Sequence, residues 1–96
     1  MNSKPVAIIT GASRGIGRAI SLALASGGFD IVAIARTPDS ECMLALQPEI
    51  EGLGARFFPV GLDVAHTDRH DEVISSILEH YGRIDILVNN AGVAPI

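Results

Sequence analysis

Short apolar runs alternate with longer amphipathic stretches along nearly the whole chain. The apolar runs predict four strands, at Val6–Thr10, Ile31–Ala35, Arg56–Gly61 and Ile84–Val88. The second and fourth runs are apolar on both faces, as expected for parallel strands that are covered on both sides. Pro59 cannot donate a ladder hydrogen bond, so it places the third strand at an edge of the sheet.

The stretches between the strands predict three helices, because their apolar residues recur at helical spacing. The predicted helices run over Gly15–Ser26, over Glu41–Leu53 after an N-cap in the loop 37–40, and from a cap at Thr67 or Asp68 to Tyr81. Their expected apolar faces are Ile16, Ala19, Ile20, Ala23 and Leu24 in the first, and Val73, Ile74, Ile77 and Leu78 in the third. Glycines follow all three helices, and Pro48 is expected to bend or split the second.

Strands that alternate with helices in this way predict an α/β fold with a parallel sheet and right-handed crossovers. We expect the strand order 3-2-1-4, which is the N-terminal half of a Rossmann-type doubly wound sheet. The apolar fourth strand needs a neighbour, because an exposed apolar edge invites association. We therefore expect residues 1–96 to be a single, incomplete domain from the N-terminal part of a longer protein.

Composition narrows the class of protein. The chain has 96 residues, 48% of them hydrophobic, and a net charge of −4, which indicates a globular domain and argues against a nucleic-acid partner. Its apolar runs are too short for a membrane helix or a signal peptide, so we expect a cytoplasmic protein without a membrane partner. Cys42 is expected to be a packing residue, and His66, His70 and His80 to be surface residues. No ligand spacing predicts a metal site.

A glycine cluster separates the first strand from the first helix. Residues 10–17 read TGASRGIG, in which Gly11, Gly15 and Gly17 allow a tight turn and a close approach of phosphate. The helix that follows offers free N–H groups and a partial positive charge. The cluster predicts a pyrophosphate site of a dinucleotide; the alternative is a turn with helix-packing glycines and no ligand.

The pattern T-G-x-x-x-G-x-G, together with the sequence NNAG at residues 89–92, resembles the short-chain dehydrogenase/reductase family. The resemblance covers the chain from about Pro5 to Gly92. Within the family, GASRGIGRAI and IDILVNNAG look most like the 3-oxoacyl-acyl-carrier-protein reductase group. Sugar, steroid and polyol dehydrogenases share these motifs, so their substrates are the alternative substrate classes.

Two arginines favour NADP(H) over NAD(H) as the cofactor. Dinucleotide folds that prefer NAD place a carboxylate after the second strand, where this chain has Arg36. A guanidinium suits a 2′-phosphate, and Arg14 in the glycine turn could meet the same group. Asp39 lies close enough in sequence to reach back to a ribose, which leaves NAD(H) as the alternative.

The resemblance implies further cofactor contacts. Asp63 would accept from the adenine amino group, the Val64 backbone would touch the ring, Asn90 and Ala91 would line the ribose, and the asparagines would tie neighbouring strands. A purely structural role is the alternative for each. The predicted cofactor-binding residues are Gly11, Ser13, Arg14, Gly15, Ile16, Gly17, Arg36, Asp63, Val64, Asn90, Ala91 and Gly92.

The resemblance also implies an oxidoreductase that transfers hydride between nicotinamide and a carbonyl or alcohol, usually as a dimer or tetramer. Tyr81 is followed four residues later by Asp85 rather than Lys, so it is not the family's acid/base pair and reads as a packing residue. The family's catalytic Ser, Tyr and Lys would lie beyond Ile96, so no catalytic residue is expected in this chain. The alternatives are a non-catalytic NADP(H)-binding module and a fragment that folds only by docking.

Overall fold

The fold is a four-stranded parallel sheet with helices on both faces. The computed structural model describes residues 4–12, 15–37, 39–62 and 70–89. Its elements are β1 (Val6–Thr10), α1 (Gly15–Ser26), β2 (Asp30–Ala35), α2 (Glu41–Gly52), β3 (Phe57–Gly61), α3 (His70–Tyr81) and β4 (Ile86–Val88). The strand order is β3-β2-β1-β4, which confirms the predicted Rossmann-type topology and the edge position of Pro59. Strand and helix bounds differ from the predicted ones by at most a few residues.

Alternation along the strands divides the core into two layers. Ala7 and Ile9 of β1 face α1 and α2, where Met43, Leu46 and Ile50 of α2 are almost completely buried. The opposite layer lies under α3 and contains Val6, Ile8, Val32, Ile34, Leu62, Val73, Ile77 and Tyr81. Every residue of β1 is buried, because β1 lies between β2 and β4 with helices on both faces.

The predicted apolar face of α1 is correct for Ile20 and Leu24, which pack against the core, and wrong for its other three residues. The buried residues are Gly17, Ser21 and Ala25, whereas Ile16 is 71% exposed and Ala19 and Ala23 are also exposed. The Ser21 hydroxyl donates to the Gly17 carbonyl oxygen at 2.8 Å, so its polar group is satisfied inside the core. These small residues let the helix backbone approach the sheet closely. The larger Ile20 and Leu24 are half-buried beside this contact and pack against the same core.

The predicted buried stripe of α3 is correct for Val73 and Ile77 and wrong for Ile74 and Leu78, which are 39% and 45% exposed. The helix contacts the sheet through one row of residues at i, i+4 spacing, which consists of Val73, Ile77 and Tyr81. The neighbouring row, Ile74 and Leu78, lies outside this contact. Leu87 of β4 is 62% exposed, so this face of the sheet is less covered over β4 than over β1 and β2.

Helix α2 is continuous through Pro48, so of the predicted bend or split, the split is wrong. Pro48 has no N–H to donate to the carbonyl oxygen of Leu44. Because both residues are exposed, water can solvate that carbonyl. Ser40 caps the helix by accepting from the Met43 N–H at 3.3 Å. Cys42 in the first turn is exposed and is not the packing residue that was predicted.

Two carboxylates fix the amino edge of the sheet. Asp30, fully buried at the start of β2, accepts from the backbone N–H of Arg56 at 2.8 Å and from its Nε at 3.1 Å. Asp85 accepts from the Val6 N–H at 2.8 Å and is bound by both Nε and Nη2 of Arg83. The hydrogen bonds from Arg83 have the larger effect and that from the Val6 N–H the smaller, and both lower the pKa of Asp85.

Candidate functional site

The carboxyl ends of β1, β2 and β4 meet at one edge of the sheet, because the strands are parallel. The chain turns there after Thr10, and the Gly11 N–H donates to the Ile34 carbonyl oxygen at 2.9 Å. Strand order reverses at β1, since β2 lies on one side of it and β4 on the other. In open α/β sheets the crevice at such a reversal is where ligands bind.

The glycine turn has the backbone conformation that its sequence predicts. Gly11 has a φ of 63° and Gly15 a φ of 62°, in the left-handed region that favours glycine. A Cβ at Gly15 would meet nothing within 4 Å, so the requirement for glycine there comes from the backbone angle and not from crowding. Because α1 begins at Gly15, the first N–H groups of that helix lie at the carboxyl edge.

Of the other predicted residues of the turn, the structure describes Ile16 and Gly17. Gly17 is buried against the sheet, and Ile16 is exposed at the start of α1. Arg18, the next residue, forms an ion pair with Glu49 of α2 and so joins the two helices on that face. Ser13 and Arg14 lie outside the described residues.

Arg36 is exposed and comes directly after β2, at the same edge as the glycine turn. Within the described part of the chain it forms no ion pair with a carboxylate. Asp39, the alternative ribose ligand, is also exposed and lies just before the cap of α2. The edge therefore presents both a guanidinium and a carboxylate close together in sequence.

The carboxyl ends of β1 and β4 are joined by a side chain that the sequence did not single out. The Thr10 hydroxyl lies 3.3 Å from the Val88 carbonyl oxygen and 3.3 Å from Oδ1 of Asn89, so it can donate to either. The contact agrees with the expectation that asparagine side chains tie neighbouring strands. The remaining predicted residues of this segment, Asn90, Ala91 and Gly92, lie outside the described residues.

A cavity of about 330 Å³ opens beside this tie, on the α3 face of the sheet. Its apolar lining comes from Ile8, Ile34, Leu62, Val73, Ile74 and Leu87, and its polar lining from Thr10, His70 and Asn89. His70 is half-buried, so the predicted surface residue is only partly exposed. Asp63 and Val64, which the resemblance places near an adenine ring, lie outside the described residues.

The other singled-out groups lie away from this edge. His80 is exposed and stacks on Phe58 with ring centroids 4.2 Å apart. Tyr81 is buried, and its hydroxyl donates to the Ile31 carbonyl oxygen at 3.4 Å, which confirms its packing role. Among the described residues no group of three or more potential ligands could hold a metal ion. The helices of the described ranges are all too short or too polar to span a membrane.

Comparison with known proteins defines the class. The family model for short chain dehydrogenases matches residues 5–96. The chain therefore belongs to the short-chain dehydrogenase family.

Within the family the chain is similar to 3-oxoacyl-acyl-carrier-protein reductases. It is 43% identical over 88 residues to the enzyme of that name from Synechocystis, and 42% identical over 88 residues to the one from Thermotoga maritima. These alignments cover 92% of this chain and 35% of each relative. The chain thus spans about a third of the length of the curated relatives that it matches.

Solved structures agree with the fold. A 3-oxoacyl-acyl-carrier-protein reductase from Brucella melitensis in complex with NAD superimposes with a TM-score of 0.88 at 38% identity, over 100% of this chain and 36% of that one. A metagenomic short-chain oxidoreductase in complex with NADP gives a TM-score of 0.84 at 42% identity, over 93% of this chain and 39% of the other. Relatives of this fold therefore bind either nicotinamide dinucleotide.

Proposed function

We propose that this chain is the NADP(H)-binding portion of an oxidoreductase that transfers hydride between nicotinamide and a carbonyl or alcohol substrate. The observation that carries the proposal is the glycine turn. Gly11 and Gly15 both adopt the left-handed conformation at the point where β1 ends and α1 begins. A strand, such a turn and a helix N-terminus in this order form an anion site that suits a pyrophosphate.

The residues around the turn suit the rest of the cofactor. The amides of Gly15, Ile16 and Gly17 begin α1 and would donate to the pyrophosphate, beside Ser13 and Arg14. The cavity on the α3 face would take the base, and the family resemblance gives Asp63 and Val64 contacts with the same base. Asn90, Ala91 and Gly92 follow β4 and would line the ribose.

Arg36 supports NADP(H) over NAD(H). The residue lies at the carboxyl end of β2, is exposed, and carries a fixed positive charge where NAD-specific folds place a carboxylate. A guanidinium can form charge-assisted hydrogen bonds with a 2′-phosphate but gains little from a ribose diol. The solved relatives include one NAD complex and one NADP complex, so Arg36 and Arg14 alone support this preference.

The bound nicotinamide supplies the hydride, and the described residues bind the cofactor's adenosine half and orient it. We assign no acid or base for proton transfer to this chain and propose that this role belongs to the remaining two thirds of a protein of the relatives' length. On the strength of the similar relatives, 3-oxoacyl-acyl-carrier-protein reduction is the proposed reaction. A cytoplasmic homo-oligomer is the corresponding proposal for its location and assembly.

Cofactor titrations of the purified protein test the proposal. We expect NADP⁺ to bind more tightly than NAD⁺, and Arg36→Ala to weaken NADP⁺ binding about 10-fold or more, as expected for a lost charge-assisted contact. The variant should change NAD⁺ affinity by less than about twofold, because the diol does not use the guanidinium. Isothermal titration calorimetry at fixed ionic strength gives both dissociation constants.

Arg83→Ala is the matched control, since it removes the same charge at the opposite edge of the sheet. It should leave both affinities unchanged. Absence of binding by either dinucleotide would contradict the proposal. Tighter binding of NAD⁺ would instead favour Asp39 as the ribose ligand and overturn the NADP(H) preference.

A further inference from the structure

We infer that His70 contacts the purine base of the cofactor. The inference rests on the proposed function and adds a residue to it. Sequence patterns give no reason to expect this role, because His70 lies in a polar helix start among charged residues. The argument comes from the cavity beside the glycine turn.

The cavity has the size and position for one flat ring system. Its volume of about 330 Å³ lies at the lower end of the roughly 300–1,000 Å³ range of small-molecule sites. It begins at the carboxyl edge, where Thr10 leads directly into the glycine turn that would hold the pyrophosphate. The assignment therefore places in this cavity the base of a dinucleotide whose pyrophosphate is held by the turn.

The lining suits a purine. Ile34 and Leu62 are 5% exposed, and they supply apolar surface against which a ring can pack. Of the polar lining residues, Thr10 and Asn89 are placed within hydrogen-bond distance of each other and tie β1 to β4. His70 of α3 is the single aromatic and titratable residue of the described lining.

An imidazole has two properties that a purine can use. Its flat face stacks on a base, and its ring nitrogens can donate to or accept from the base edge. His70 is the first residue of α3, at the carboxyl edge of the sheet, and it is one of the residues that line the cavity. Stacking of a base on an aromatic residue is typically worth a fivefold or greater change in affinity.

The chain provides a matched control in His80, at the other end of the same helix. His80 is exposed and stacks on Phe58, outside the lining of the cavity. His70→Ala and His80→Ala therefore remove the same ring from opposite edges of the sheet.

The experiment combines binding with a direct signal from the rings. We expect His70→Ala to weaken NADP⁺ binding by about fivefold or more, without weakening binding of inorganic pyrophosphate, which has no base. His80→Ala should bind both probes as the unchanged protein does. In NMR spectra of the imidazole groups, of which the chain has 3, addition of NADP⁺ should shift the His70 signals and leave those of His80 in place.

Each result decides the assignment. An equal loss of NADP⁺ and pyrophosphate binding in His70→Ala would show a general structural effect and overturn a base contact. Unmoved His70 signals in a protein that binds NADP⁺ would overturn it while leaving the proposed function standing. Failure of the unchanged protein to bind NADP⁺ at all would overturn the proposed function together with this assignment.

Discussion

Tyr81 illustrates at the scale of one residue how burial controls a polar side chain. It is 4% exposed, its hydroxyl donates to the Ile31 carbonyl oxygen, and the Arg56 guanidinium lies 4.7 Å above its ring. Burial, and then the negative charge of Asp30, raise the pKa of Tyr81 to about 12, although the charge of Arg56 acts in the opposite direction. The neutral phenol is therefore the form that the fold accommodates.

Alkaline titration tests this environment. A residue whose pKa is raised on folding stabilises the protein fully below its unfolded pKa, near 10, and this stabilisation is lost as the pH rises towards 12. We expect the tyrosinate absorbance of the folded chain to rise near pH 12 and not near pH 10. The chain has 1 Tyr and 0 Trp, so the signal belongs to Tyr81 alone. Ionisation near pH 10 with the fold intact would contradict this; the urea-unfolded chain is the control and should titrate there.

The residues that the sequence predicted least well are those whose role depends on distant neighbours. The conformations of Gly11 and Gly15 follow from a local motif, and both were predicted as turn residues. The contact of Thr10 with Asn89 joins positions 79 apart, and the place of His70 beside the cavity depends on how α3 lies on the sheet. No local pattern contains that information.

At the scale of the element, α2 shows how a cap fixes a helix start. Ser40 has an extended backbone with φ −64° and ψ 159°, and its hydroxyl accepts from the Met43 N–H. Glu41 adds a negative charge in the first turn, where the helix dipole favours it. The start of α2 is therefore set by Ser40 and not by the loop residues before it.

Removal of the cap should destabilise the protein measurably. We expect Ser40→Ala to lower the free energy of unfolding by about 0.5–2 kcal/mol, because an N–H of the first turn loses its acceptor. Ser40→Asp keeps an acceptor at this position and should remain close to the unchanged protein. Urea unfolding followed by circular dichroism measures both. Equal stability of the Ala and Asp variants would show that the cap contributes nothing.

The helices also show where periodicity misleads. Their number, order and glycine ends were predicted correctly, because each depends on local sequence. The apolar face predicted for α1 included Ile20 and Leu24, which pack against the core, but the fully buried residues are Gly17, Ser21 and Ala25. A helix that packs closely on a sheet selects small residues at the contact, and hydrophobic spacing alone does not reveal this selection.

At the scale of the whole molecule, one sheet is shared by two apolar layers. Leu46 of α2 and Ile77 of α3 are both fully buried on opposite faces. Because the same strands support both layers, loss of packing on either face weakens the same cooperative unit.

Truncation in either layer should therefore have a similar cost. We expect Leu46→Ala and Ile77→Ala each to lower the free energy of unfolding by about 2–5 kcal/mol. Leu44 and Ile74 lie on the same two helices but are 58% and 39% exposed. Leu44→Ala should cost less than about 0.5 kcal/mol, and Ile74→Ala clearly less than Ile77→Ala. Chemical unfolding checks all four; a large loss in only one layer would contradict a shared unit.

The position of β1 has a consequence for synthesis on the ribosome. Its first neighbour, β2, follows after one helix, but the hydrogen bond from the Val6 N–H to Asp85 spans 79 residues. At about 5–20 residues per second, roughly 4–16 s separate translation of these two positions. During that interval β1, all of whose residues are buried in the folded chain, has one edge open to pairing with other chains.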